Sequence, residues 1–305
     1  MKGPRADWQP GSILVGFDGT ERDRDAAVLA ASLAHSDSEL LLVHIVPPAG
    51  FGPISPRQLG SEEVPGAQEL FAPGITILGD LKVETGVYLG RSPAKELTAI
   101  AEEKDIDLIV IGPPRPKRLE RALLGSVIRG LMNGAPAPTV MARIDYGKDA
   151  PEPPQTIAVA FDGMPESIVA VEHAEALARP IGASLRLLTV ATRATTIAGM
   201  LGYVPPMPKS PSEVLADGVA SVADDIKVEG RKLEGGSIPA AIAADSEDGV
   251  DLIVTGSRGY GAFSRVMIGS VSTGLLNQAA CPVMVTPRPS RDEIEAQRVE
   301  ADTPA

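Results

Sequence analysis

Aromatic residues make up only 3% of the 305 residues, histidine occurs three times and cysteine once. With so few aromatics, the core must be filled by Ala, Val, Leu and Ile, as is usual where helices pack on a parallel sheet. The lone Cys281 excludes an intramolecular disulfide framework and reads as a small buried hydrophobe rather than a redox switch. With His35, His44 and His173 as the only histidines, no Cys/His metal cluster can be assembled. No apolar run approaches the roughly eighteen residues needed to cross a bilayer. The opening MKGPRADWQP lacks the apolar stretch of a signal peptide. A soluble cytoplasmic protein without a membrane partner is the expectation. A formal charge of −12 argues against nucleic acid as a general partner, because both surfaces would be acidic.

What the chain has in quantity is apolar residues, at 44%, enough for one large core or two cores of ordinary domain size. It also repeats itself. ILVGFDG at Ile13 returns as IAVAFDG at Ile157, DLIVIG at Asp107 as DLIVTG at Asp251, and GSVIRGLMNGAPAP at Gly125 as GSVSTGLLNQAACP at Gly269. All three pairs stand 144 positions apart, so the chain is a tandem duplication. Residues 1–147 and 151–289 are the expected domains. Between the halves, DYGKDAPEPPQ has prolines and charges that cannot continue a helix or central strand, which marks a linker. The polar, acidic stretch 290–305 is expected to be a frayed helix or disordered.

Within each half, short β-branched runs alternate with longer helical patterns, which predicts an α/β fold with a parallel sheet and helices on both faces. In the second half the strands fall at 155–161, 184–191, 226–233, 251–255 and 282–286. The helix after the first of them places Ile168, Val171, Ala174 and Leu177 on one face, with Pro165 near its start and Pro180 at its end. EGGSIP at Glu234 reads as a turn into a helix. In the first half, Pro47 to Gly79 holds so many Pro and Gly that any helix there is expected to be short.

The most informative stretch is TGSRGYGAFSRVMIGSVS, Thr255 to Ser272, which follows the fourth strand. In an open α/β sheet, ligands bind beyond the carboxyl ends of strands where the strand order reverses. Gly256 and Gly259 allow close approach of backbone, and Gly269 and Ser270 open a helix whose N–H groups favour an anion. Turn geometry alone is the competing explanation of such a loop. The spacing of Gly256, Gly259 and the Gly269-Ser270 pair, the first strand ending in Asp, the DLIV-G strand and the closing CPVMV together resemble the universal stress protein family over nearly all of both halves. The chain is similar to tandem members of that family.

That resemblance implies two tandem open five-stranded sheets of order 3-2-1-4-5, with ATP as ligand held without a Walker-type lysine. It gives Asp162 to the adenosine side and Val190 to packing near adenine. Gly256, Arg258 and Gly259 are given to the ribose and phosphates, and Gly269, Ser270, Val271 and Ser272 to the phosphate tail. Each residue has a plainer alternative: an Asx-turn for Asp162, core-edge packing for Val190, a solvated charge for Arg258, helix capping for Ser270 and a bond to its own helix for Ser272. The corresponding first-half residues are Asp18, Gly112, Gly125, Ser126 and Val127. There, however, Arg115 replaces the second glycine, and Pro113 and Pro114 remove backbone donors. Arg115, Lys117, Arg118 and Arg121 can attract phosphate through side chains or form a solvated face. One ATP per chain, in the second half, is expected.

No G-x-S-x-G elbow or P-loop is present, and no general base is evident. The leading expectation is an ATP-binding stress-response regulator whose occupancy alters its conformation or its binding to an unidentified regulatory protein. The alternatives are slow ATP hydrolysis, with Mg2+ accompanying the phosphates, and a stress module that binds partners without nucleotide. Two similar halves can also pair as an intramolecular pseudo-dimer, which the resemblance assigns to the closing strands near 138–142 and 282–286, and further pairing into a homodimer stays open.

Overall fold

Aliphatic runs supply every central strand of this protein. The computed structural model describes residues 8–48, 57–60, 64–114, 125–149, 153–191, 209–257 and 269–287. Two compact units are present: Gln9–Pro153, and Trp8 together with the chain from Pro154 onward.

In the first half the order of elements is β1 (Ser12–Gly16), α1 (Glu21–Leu33), β2 (Glu39–Val46), β3 (Arg57–Gln58), α2 (Ala67–Leu78), β4 (Lys82–Leu89), α3 (Pro93–Glu103), β5 (Leu108–Ile111), α4 (Ser126–Met132), β6 (Thr139–Met141) and α5 (Tyr146–Asp149). Its strands run β4-β2-β1-β5-β6, all parallel. This is the expected 3-2-1-4-5 order, with the two-residue β3 added antiparallel on the β4 edge. In register, Leu14 stands between Leu41 and Ile109. Ile13, Leu14, Val15, Leu108, Ile109 and Val110 are fully buried, because helices cover a parallel sheet and its central strands need no polar face.

The second half contains β7 (Thr156–Ala160), α6 (Pro165–Ile181), β8 (Ser184–Ala191), α7 (Pro211–Ser221), β9 (Val228–Glu234), α8 (Ile238–Asp245), β10 (Leu252–Gly256), α9 (Ser270–Gln278) and β11 (Val283–Thr286). Its strand order is β9-β8-β7-β10-β11, again 3-2-1-4-5 and wholly parallel. Strand limits agree with the sequence reading to within two residues. Cys281 is buried, as its apolar setting predicts.

The duplicated motifs carry duplicated hydrogen bonds. Asp107 opens the fourth-strand motif and accepts from Ser12 N and Oγ at 2.9 and 3.0 Å. Asp251 accepts from Gln155 N and Thr156 N, both at 2.9 Å. Each carboxylate thus ties the start of the fourth strand to that of the first. After the first strand, Asp18 Oδ1 accepts from Thr20 N and Asp162 Oδ1 from Met164 N, both at 3.1 Å. These Asx-turns are followed by Gly19 and Gly163 at φ +78° and +76°, the left-handed region that makes glycine the fitting residue.

Two expectations are corrected. The Pro/Gly-rich first-half segment contains a full 12-residue helix, α2, with Pro73 inside it. Burial of Phe71, Gly74 and Leu78 outweighs the lost backbone bond. Helix α6 has Pro165 at its start and Pro180 at its end, as expected, and closes on the left-handed Gly182. The linker begins with a folded turn: Asp25 of α1 accepts from Asp145 N at 2.9 Å and Gly147 N at 3.1 Å, and Tyr146 is only 2% exposed. The expectation for 290–305 falls outside the described residues. Among the described residues no helix is long and apolar enough to cross a membrane.

Candidate functional site

In the second half, β8 lies on one side of β7 and β10 on the other. The chain leaves β7 and β10 toward opposite faces of the sheet, so their carboxyl ends border a crevice. The walls of that crevice come from four stretches of sequence: Ala160 to Ser167, Leu188 to Val190, Thr255 with Gly256, and Gly269 to Ser272. Ile238 and Ile242, one helical turn apart on α8, supply an apolar side. The cavity between them is about 130 Å³.

Asp162, Val190, Gly256, Gly269, Ser270, Val271 and Ser272 therefore all line one cavity. Arg258 and Gly259 lie outside the described residues. Gly269 is the N-cap of α9 and has no side chain to satisfy the helix's first N–H groups, and no acidic residue stands in the first turn. Such an end favours an anion. Ser270 is exposed at this end.

Two residues have structural duties that the sequence reading left open or placed elsewhere. Ser272 is 1% exposed, and its hydroxyl donates to Gly256 O at 3.1 Å, which joins the start of α9 to the end of β10 rather than bonding within its own helix. Gly256 is needed because a Cβ there would collide with the Glu166 carbonyl. Its first-half counterpart repeats this, since a Cβ on Gly112 would lie 2.7 Å from Arg22 O. The close approach at both positions is to a helix start.

Sequence reasoning missed Glu166, Ser167, Thr189, Thr255, Ile238 and Ile242 in the lining. Glu166 and Ser167 were legible as the first turn after the Asp-Gly turn, but helical periodicity does not say that this turn faces a crevice. Ser167 Oγ accepts from Asp162 N at 3.4 Å and donates to Met164 O at 2.9 Å, so it links the turn to the helix.

The corresponding end of the first-half sheet is built differently. Asp23 stands where the second half has Ser167, and its carboxylate accepts from Asp18 N. Burial, then the hydrogen bond to the Asp18 side chain and the charge of Asp18, push the Asp23 carboxyl up to about 8. Arg22, in the place of Glu166, donates to Pro114 O at 2.6 Å and spans from the helix start to the loop after β5. A Cβ on Gly125 would sit 3.4 Å from Pro114 Cβ, so the start of α4 also abuts that proline. Gly125 is the uncapped N-cap of α4, with Ser126 and Val127 in its first turn. Arg115, Lys117, Arg118 and Arg121 lie outside the described residues. Among the described residues, no group of three or more His, Cys, Asp or Glu could hold a metal ion.

Comparison with known proteins agrees with the duplicated fold. The universal stress protein family model matches twice, over residues 11–143 and 154–287. A universal stress protein of Mycolicibacterium smegmatis is 29% identical over 295 residues, spanning 90% of this chain and 96% of the relative. One from Mycobacterium tuberculosis is 28% identical over 292 residues, with 90% and 95% covered. Among solved structures, a universal stress protein from Archaeoglobus fulgidus superposes with a TM-score of 0.62 at 20% identity, covering 92% of this chain and 100% of that one. A Pseudomonas aeruginosa protein titled as functionally unknown also gives 0.62, at 19% identity with 95% and 96% covered. These structural likenesses concern the fold.

Proposed function

The chain belongs to the universal stress protein family, and from that premise we propose that its second half binds ATP and that occupancy alters its binding to a regulatory protein. The observation that carries this reading is convergence. Residues from four separated stretches, singled out by motif, line one cavity that opens onto an uncapped helix start. Val190, Ile238 and Ile242 offer an apolar side for a base, Asp162 a carboxylate for a ribose, and the N–H groups of Ser270 to Ser272 a place for phosphate. At about 130 Å³ the cavity is smaller than the roughly 300 Å³ at which small-molecule sites begin. Only part of a nucleotide fits within it, and the rest extends outward past the start of α9. Any Mg2+ would arrive with the phosphates.

The test is heat release of nucleotide from purified protein, followed by calorimetric titration of the emptied chain. Co-purified ATP and a single site per chain are expected. Protein that is empty and fails to bind added ATP would overturn the reading. Glu166 also lines the cavity and is a carboxylate within reach of a bound ligand, which gives slow hydrolysis a specific test. Accumulation of ADP that stops in Glu166→Gln would show turnover; no ADP leaves a binding protein.

A further inference from the structure

Helices α2 and α7 hold corresponding places in their halves, and each is fastened by a glycine lying on a phenylalanine. A Cβ on Gly74 would lie 3.0 Å from Phe17 and 3.1 Å from Leu42 Cδ1, and one on Gly218 would collide with Phe161. Away from that anchor the two helices differ. In the second half, a Cβ on Gly230 of β9 would stand 2.9 Å from Val219 Cγ2 and 3.1 Å from Leu215 Cγ, so α7 rests directly on the edge strand. At the matching Gly86 of β4 the nearest atoms are Tyr88 Cε2 at 2.6 Å and Gln58 Nε2 at 3.4 Å, and α2 contributes none.

The gap between α2 and β4 is an open groove of about 950 Å³, a volume ordinary for a small-molecule site. Val64, Phe71, Ala72 and Ile75 form its apolar wall. Among the described residues, none that lines it carries a charge, although 22% of the chain does. The described residues offer an ion no charged partner, so this wall favours a neutral molecule. At its edge, the Tyr88 hydroxyl donates to Oε1 of the exposed Gln58 at 3.4 Å, which orients the amide and leaves its NH2 beside Gly86 as a neutral donor.

We propose that this first-half cavity binds an uncharged, largely apolar small molecule bearing a hydrogen-bond acceptor that the Gln58 amide engages. The proposal is independent of nucleotide binding, which belongs to the other half. Nile red, a neutral apolar fluorophore with a carbonyl acceptor, titrated into the full chain tests it. Saturable, blue-shifted emission at about one dye per chain is expected, as for a single preformed pocket. Ile75 is 43% exposed at the rim, so Ile75→Glu can be made without opening the core, and affinity should fall roughly tenfold or more. Thr85→Lys, on an exposed β4 position, should do the same from the opposite wall. Gly269→Glu should leave dye binding unchanged. Absence of saturable binding, or unaltered affinity in both folded wall variants, overturns the proposal.

Discussion

The crevices at the ends of β1 and β7 start from the same motif and finish as different objects. Each has an Asx-turn, a left-handed glycine, a strand-end glycine packed on the helix that follows the turn, and an uncapped helix start. In the second half the helix after the turn contributes Glu166 and Ser167, and a cavity remains. In the first half, Arg22 reaches Pro114 and Asp23 places a second acid beside Asp18. The fold therefore needs the glycines in either case. The two ends differ in neighbours that the motif does not include.

The largest effect should follow from blocking the open crevice. Gly269 has φ −58° and ψ 146°, a conformation any residue can adopt, so Gly269→Glu should fold normally. It places bulk and negative charge at the helix start, and ATP affinity should fall about a hundredfold or more. Calorimetry, with circular dichroism to confirm folding, checks this. Gly125→Glu in the first half should leave stoichiometry unchanged; if instead it removes a site, the halves are functionally alike and the contrast fails.

A smaller but distinctive effect concerns Asp23. Its native carboxyl holds a proton up to about pH 8, whereas an unfolded aspartate releases it near 3.8. The folded state thus binds more protons between these values, so stability falls as pH rises through the window and levels off above it. Each pH unit there costs at most about 1.4 kcal/mol. Asp23→Ser copies the second half, and it should flatten denaturant midpoints between pH 5 and 8 and raise the midpoint most at the alkaline end of that range. An unchanged slope would show that the buried acid does not titrate in this way.

The reciprocal change, Ser167→Asp, should weaken ATP roughly tenfold, because it adds an acid to a cavity already lined by Asp162 and Glu166. If affinity holds while the protein stays folded, Asp23 alone does not set the halves apart, and Arg22 is the remaining difference at this turn. Arg22→Ala then becomes the informative variant.

Much of this architecture was legible in the sequence. The 144-residue repeat and the aliphatic runs locate the strands, and Asp107 and Asp251 mark the start of the fourth strand because their carboxylates clamp the first. The sheet order and the phosphate-loop residues came through family resemblance, and the described ones share a cavity. What was not legible depends on distance across the fold. Arg22 and Asp23 read as the polar first turn of a helix, and nothing local says that Pro114, 92 residues away, accepts from that arginine. Gly256 read as room for a ligand because a sequence cannot show the Glu166 carbonyl beside it. Helix α2 was underestimated because Pro73 is a local penalty, while the packing of Phe71 and Gly74 that offsets it is tertiary.

The smallest effect tests why α7 and α2 sit differently on their edge strands. Ser210 caps α7: its hydroxyl accepts from Glu213 N at 3.3 Å, and Glu213 accepts from Ser210 N at 2.6 Å. This reciprocal pair fixes the direction in which the helix starts. The first half keeps the acid as Glu69 but has Gly66 at the cap, with φ +84° and no side chain to bond, so α2 enters along a different path. Ser210→Ala should cost about 1 kcal/mol, as loss of a cap usually does, read as a shift in denaturant midpoint. Gly66→Ser should not recover that amount, because a serine at positive φ is strained and its hydroxyl is wrongly placed for the cap. If Gly66→Ser instead stabilises the protein and abolishes Nile red binding, the turn alone holds α2 away from β4. If it destabilises without closing the cavity, the separation is built into the packing of Phe71 and Gly74 on Phe17.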